Sequence, residues 1–110
     1  MGELNMERGE IRWYTFKSPD KKRPVVILTR NSALKYLGEV TIAPITSTIR
    51  DIPTEVVLDQ QDAMKTVSVI NLDHIQTVSK DKVGAYISKL SELKLEQVRV
   101  ALLFALGFDN

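Results

Sequence analysis

Three places in this 110-residue chain carry residues able to do chemistry. The first is the run Lys21-Lys22-Arg23-Pro24, which leads into five β-branched or apolar residues. A guanidinium grips a phosphate through two parallel hydrogen bonds and stabilises negative charge that builds on it. Pro24 has no amide proton and a fixed φ, which suits the first residue of a strand. Arg23 precedes it and is biased to extended geometry, so the cation sits at a rigid strand mouth. Alone, the commoner fate of such a run is a solvated turn. The second place is Thr46-Ser47 at a strand end, where a hydroxyl either donates to a phosphate oxygen or closes a self-capping turn. The third is Asp73-His74. Histidine is the side chain most easily poised for proton transfer near neutral pH, and a carboxylate beside it can fix its tautomer. Against that pairing, adjacent strand residues point to opposite faces. A lone histidine is also often merely structural or exposed.

Composition removes whole classes of function. The chain has no Cys, hence no disulfide frame, thiol nucleophile or thiolate metal site. One His argues against a zinc site, which wants several N or S ligands. No apolar run reaches the roughly 20 residues of a membrane span, and no signal-peptide core opens the chain, so a cytoplasmic location is expected. No phosphate-cradling glycine loop or dinucleotide fingerprint occurs. The net charge of +1 hides an asymmetry. Residues 1–50 carry nine Lys and Arg against five Asp and Glu, and residues 51–110 carry six against nine. That puts a basic face on the N-terminal half, suited to an anionic partner.

The elements that must position these groups are mostly strands. Residues 1–7 read as a loose leader to a single domain spanning 1–110. Residues 11–16 alternate, with Ile11 and Trp13 on one face and Arg12, Tyr14 and Phe16 on the other. Trp13, Tyr14 and Phe16 are aromatics able to stack on bases, as in single-strand binders, although for Trp13 the core is the expected place. Residues 17–22 form a polar loop, with Ser18-Pro19-Asp20 as turn chemistry. Residues 25–29 are apolar on both faces, as in a central, doubly covered strand. Asn31 or Ser32 caps one helical turn. Further strands fall at 39–43, 54–58, 66–70, 73–78 and 83–89, with 44–53 a loop and a single turn capped by Ser79. Ser91 and Gly107 bracket a helix with Leu95, Val98, Leu102 and Ala105 at three- and four-residue spacing. Its second half is apolar nearly all round, so either the barrel engulfs it or a second subunit covers part of it. Short, closely spaced strands followed by one long helix predict a mainly β (α+β) fold, a small barrel capped by a C-terminal helix.

Taken in order, these segments resemble the MazF/PemK family of toxin ribonucleases, within the superfamily that includes the CcdB toxins. The matching pieces are Arg8-Gly9-Glu10-Ile11-Arg12-Trp13, Arg23-Pro24-Val25-Val26-Ile27-Leu28, Ile42-Ala43-Pro44-Ile45-Thr46-Ser47, Pro53-Thr54-Glu55-Val56, the run 69–78 through Asp73-His74, and Leu90-Ser91. The resemblance covers about residues 7–107. It implies an SH3-like β-barrel with a C-terminal helix, the fold of plasmid-maintenance toxins and cell-growth inhibitors. It further implies a homodimer that joins a MazE-like antitoxin, up to a heterohexamer. The implied activity is metal-free, cofactor-free cleavage of single-stranded mRNA to 2′,3′-cyclic phosphate and 5′-hydroxyl ends. By position, Arg23 and Thr46 match the family's catalytic arginine and threonine, and Asp73 an acidic position. Asp73 or His74 is the expected acceptor of the 2′-hydroxyl proton. Lys17, Lys21, Lys22, Ser47, Arg50 and Gln76 are the expected RNA contacts.

Two departures stand out. The first loop is short and keeps Asp20 as its only acid, and Gln76 replaces an arginine found in many members. Two other readings of the same residues remain: a CcdB-like inhibitor of DNA gyrase, and a nucleic-acid binder without catalysis.

Overall fold

The computed structural model describes residues 5–17 and 21–109. The Ser18-Pro19-Asp20 turn and most of the leader lie outside them. Seven strands, β1 (Glu10–Phe16), β2 (Lys21–Ile27), β3 (Glu39–Thr46), β4 (Glu55–Leu58), β5 (Ser68–Asn71), β6 (Gln76–Ser79) and β7 (Tyr86–Lys89), join two helices, α1 (Asn31–Leu34) and α2 (Glu92–Leu106). All strand pairs are antiparallel, in the order β4-β5-β3-β2-β1-β7 with β6 also on β3. Besides β2, β3 serves two partners: Glu39 to Ile42 face β6, whereas Ile45 and Thr46 face β5. Pro44 sits between them, where its missing amide proton costs no ladder bond. The sheet therefore curls into a half-barrel.

β2 is the doubly covered strand its sequence predicts. Val26 and Leu28 enter one core with Ile11, Ala43, Ile45 and Ile70, while Val25 and Ile27 enter another with Val40, Ile42 and Val78. Helix α2 closes the first core with Val98 and Ala101, backed by Leu95, Leu102 and Ala105. A fully buried side chain such as Val98 contributes about 1.5–3 kcal/mol. The Ser91 hydroxyl accepts from the Lys94 amide, and Gly107 ends the helix with φ 82°. The outer face of α2 leaves Leu93, Val100 and Phe104 in water.

Several sequence expectations change. Lys21 and Lys22 are in strand β2, not in a loop, and Pro24 is its fourth residue. The strand tolerates it because the Trp13 amide donates away from β2, to Ala85. Trp13 and Pro24 are thus a non-hydrogen-bonded pair, and Pro24 needs no amide toward β1. Residues 44–46 extend β3 instead of opening the loop. Strand β5 begins at Ser68 instead of 66, and β7 at Tyr86 instead of 83. Asp73 and His74 lie on a 3₁₀ turn, Leu72–His74, and the strand expected there starts at Gln76. The Asn71 side chain draws the chain into that turn by accepting from the Asp73 amide. Neither Asn31 nor Ser32 caps α1: its N-cap is Arg30, and Asn31 Oδ1 accepts from the Arg8 amide. The turn Lys80–Lys82 follows Ser79, whose side chain makes no capping bond. Met6, read as leader, is buried in the second core.

Two contacts tie the site-bearing strands to their surroundings. Gly9, at φ 91°, donates to the Ile27 carbonyl and accepts from the Leu90 amide, and a Cβ there would lie 3.1 Å from the Leu95 methyls. Only glycine fits that backbone and that space. Gly84 donates to the Trp13 carbonyl at 2.7 Å.

Glu10 and Arg12 form a buried pair, Nε to Oε1 at 2.8 Å, and Arg12 also donates to the Gly84 carbonyl and lies 5.9 Å from the Tyr86 ring centre. Removing one partner of such a pair leaves the other charge uncompensated, typically at a cost of about 3–5 kcal/mol. Glu10→Ala should therefore lose about 3 kcal/mol, the low end, since Arg12 keeps its other contacts. Urea unfolding measures this, and an unchanged midpoint would show that the pair contributes nothing.

Candidate functional site

The β2–β3 ladder begins at Val25 opposite Pro44. The next pair inward to the site would need an amide proton from residue 24, and proline has none. Continuing the register by two residues sets Thr46 across from Arg23. Both residues line one cleft there.

That cleft holds about 500 Å³. Arg23, Thr46, Ser47, Thr48 and Lys65 supply its polar lining, and Trp13, Pro24, Ile45, Met64 and Ile87 its apolar walls. A second cleft of about 480 Å³ is lined by Phe16, Lys17, Lys21, Arg23, Pro44, His74 and Gln76. Arg23 is common to both. Among the described residues neither cleft is lined by an Asp or Glu. Four cations facing two concavities without an acid make a site for an extended polyanion.

Thr46 does what both of its readings require. Its Oγ1 accepts from the Thr48 amide at 3.2 Å, which closes the turn. A hydroxyl oxygen that accepts still has its own proton to donate. The turn therefore orients the hydroxyl and leaves its proton for a ligand.

The expected site residues divide three ways. Arg23, Thr46 and Ser47 share the first cleft, and Lys17, Lys21, His74 and Gln76 share the second with Arg23. Lys22 lines neither cleft, but its Nζ stands 5.1 Å from the centre of the Trp13 ring, a wall of the first. Arg50 and Asp73 line neither cleft. The Arg50 loop is turned by the Glu55 carboxylate, which accepts from the Arg50 and Asp51 amides. The Asp73 Oδ2 accepts from the Thr54 hydroxyl at 2.6 Å. The carboxylate expected to steady His74 is thus engaged elsewhere, and the Asn71 amide, 3.2 Å from His74 Nδ1, stands in its place.

Sequence reasoning missed Lys65 and Asn71, and it ranked the core above the base-stacking role for Trp13, which walls the first cleft. Trp13 shares its strand face with the buried Ile11, so alternation placed it in the core. It sits two residues farther along, is half-buried, and lines the first cleft. Lys65 lies in a polar turn that only the fold brings beside Thr46. Asn71 did carry a signal, a side-chain acceptor two residues before Asp73, the spacing of a local cap.

The chain matches the family pattern described as PemK-like, MazF-like toxin of type II toxin–antitoxin system over residues 7–106. Endoribonuclease MazF3 of Mycobacterium tuberculosis is 42% identical over 71 residues, which cover 64% of this chain and 69% of that protein. Probable endoribonuclease MazF5 of the same species is 33% identical over 96 residues, 86% of this chain and 87% of that one. Among solved structures, M. tuberculosis toxin MazF-mt6 superposes with a TM-score of 0.84 at 34% identity, covering 92% of this chain and 99% of that one. A mycobacterial endoribonuclease in complex with its cognate antitoxin superposes with a TM-score of 0.83 at 26% identity, over 93% and 95%. The fold is mainly β with a C-terminal helix, as expected, its sheet curled into a half-barrel, and it is the fold of these toxins. With the pattern matched from Glu7 through Leu106, the chain belongs to the PemK-like, MazF-like family of type II toxin–antitoxin toxins.

Proposed function

We propose that this toxin is an endoribonuclease that cuts single-stranded RNA at a phosphate held between Arg23 and Thr46. The observation that carries this reading is Arg23 standing at the shared wall of two clefts that no acid lines among the described residues, in the same cleft as a hydroxyl with a free proton. In the reaction the RNA 2′-oxygen bonds to the adjacent phosphorus and the P–O5′ bond breaks. The 2′-hydroxyl loses its proton, the departing 5′-oxygen gains one, and a 2′,3′-cyclic phosphate remains. Arg23 grips the non-bridging oxygens and stabilises the extra charge of the phosphorane. It is not a base, because a guanidinium scarcely deprotonates. The Thr46 hydroxyl donates to one of the same oxygens. The nucleophile belongs to the substrate, so neither a protein nucleophile nor a metal is required.

A single strand suits the site because its bases can splay away from the backbone. The walls of Trp13, Ile45, Met64 and Ile87 accept a base beside the phosphate, and Lys17, Lys21, Lys22 and Lys65 follow the chain on either side. The substrate is cytoplasmic mRNA. The inhibitor is an acidic, partly disordered antitoxin segment that lies over the basic clefts and covers Arg23. The working form is a homodimer, and the exposed Leu93, Val100 and Phe104 of α2 are the surface a second copy would cover. The gyrase-directed alternative has no comparable support, since the relatives are endoribonucleases.

Purified protein should cut a mixed transcript in the presence of EDTA. Arg23→Ala should lower the rate about 10²–10³-fold, as for loss of one oxyanion donor. Gel analysis of the products checks both, and undiminished cutting by Arg23→Ala would remove the proposed role. A second expectation concerns binding alone. Lys21→Ala and Lys22→Ala should each weaken RNA affinity and reduce the slope of log K against log salt by about 0.7 per lost phosphate contact. Titrations across several salt concentrations measure this, and an unchanged slope would place both lysines off the RNA path. The sole tryptophan, Trp13, should change emission when an uncleavable 2′-deoxy oligonucleotide enters the cleft. A silent Trp13 under saturating oligonucleotide would exclude the base subsite.

A further inference from the structure

His74 lines the second cleft with Arg23, and the proton it offers there is decided by its neighbour Asn71. Asn71 is buried, 7% exposed, and both ends of its amide are engaged. Its Oδ1 accepts from the Asp73 backbone amide at 2.9 Å. A backbone N–H only donates, so the end of the amide facing it is necessarily the oxygen. The other end is then the NH₂ group, and it lies 3.2 Å from His74 Nδ1. An NH₂ group only donates, so Nδ1 is the acceptor. A neutral imidazole with an accepting Nδ1 carries its proton on Nε2.

We propose that Asn71 is a positioning residue that holds His74 in the Nε2–H tautomer, so that His74 gives the Arg23 cleft a hydrogen-bond donor and not a base. The inference rests on the ribonuclease reading and sharpens one part of it. Of the two expected acceptors of the 2′-hydroxyl proton, Asp73 lines neither cleft and is bonded to Thr54, and His74 has no free lone pair to offer. His74 instead donates through Nε2 to a phosphate oxygen beside those held by Arg23. Turning the ring into a base toward the substrate would need a proton on Nδ1, against the Asn71 NH₂. The amide cannot flip to accommodate it without losing the Asp73 bond and with it the cap of the 3₁₀ turn.

The test has two parts, one of which does not depend on activity. His74 is the only histidine, so protein labelled with ¹⁵N-histidine gives one imidazole to observe in a long-range ¹H–¹⁵N spectrum. At alkaline pH, where imidazoles are neutral, the wild-type ring should show Nε2 protonated and Nδ1 bare. Asn71→Asp replaces the donor by an acceptor and should move the proton to Nδ1. A wild-type proton on Nδ1, or ring signals indifferent to Asn71→Asp, would overturn the inference whatever the RNA assay gives.

The second part separates donor from base by rate. Loss of a donor to a charged oxygen costs about 10–100-fold, whereas loss of a general base costs about 10²–10⁴-fold. His74→Ala should therefore fall about 10–100-fold. His74→Gln, which keeps an N–H donor but no ring base, should recover most of that loss. A His74→Gln as inactive as His74→Ala would restore the base role. Both His74 variants leave the buried Asn71 cap in place, so they remain informative if Asn71→Asp does not fold. Wild-type protein that cuts no RNA would sink the ribonuclease reading and leave the tautomer result standing.

Discussion

A missing amide proton organises this site. At Pro24 the β2–β3 ladder loses an amide donor, and the pairing starts only at Val25 and Pro44. One residue earlier in β2, Arg23 is still held by the β1 ladder, opposite Tyr14, and cannot wander. The strand is thus rigid on one side and open on the other. A guanidinium at that point is preorganised without being covered, the condition under which a fixed positive group stabilises developing charge best. Pro44 repeats the device on β3, at the gap between its two partners, and lets the sheet curl so that β5 and its 3₁₀ turn come round toward Arg23.

Much of this was legible in the chain. The doubly apolar run after Pro24 gave the central strand, the Ser91 and Gly107 caps gave α2 nearly to the residue, and the ordered motifs pointed to the toxin family. What failed did so for identifiable reasons. Lys21 and Lys22 look like loop residues because propensity sees their charge. They are strand because Phe16 and Thr15 across from them supply the ladder. Asp73 to Val78 alternates convincingly, yet the Asn71 side chain captures the Asp73 amide before a strand can start. Each error is a short-range side-chain bond or a partner strand overruling a local pattern.

The site also separates two tasks that the sequence runs together. Arg23 and Thr46 belong to the end of the β2–β3 pairing, and the orientation of each is set by backbone: the β1 ladder for one, the Thr48 amide for the other. His74 belongs to a different segment, and its orientation is set by a side chain. In the proposed reaction, charge stabilisation would rest on groups set by backbone, while the group beside them hangs on a single amide.

Gly84 lies outside both clefts, on the far side of β1 from β2, and would pass for a spacer. Its backbone nonetheless holds the Trp13 carbonyl, and a Cβ there would stand 3.0 Å from that oxygen. Such a Cβ would press β1 back by a few tenths of an ångström at the very residue that walls the cleft, since contacts this close are rare. Selections for loss of toxicity sort variants by effect and not by location. Among survivors of such a selection, substitutions of Gly84 would group with those of the cleft, although no atom of Gly84 meets the substrate.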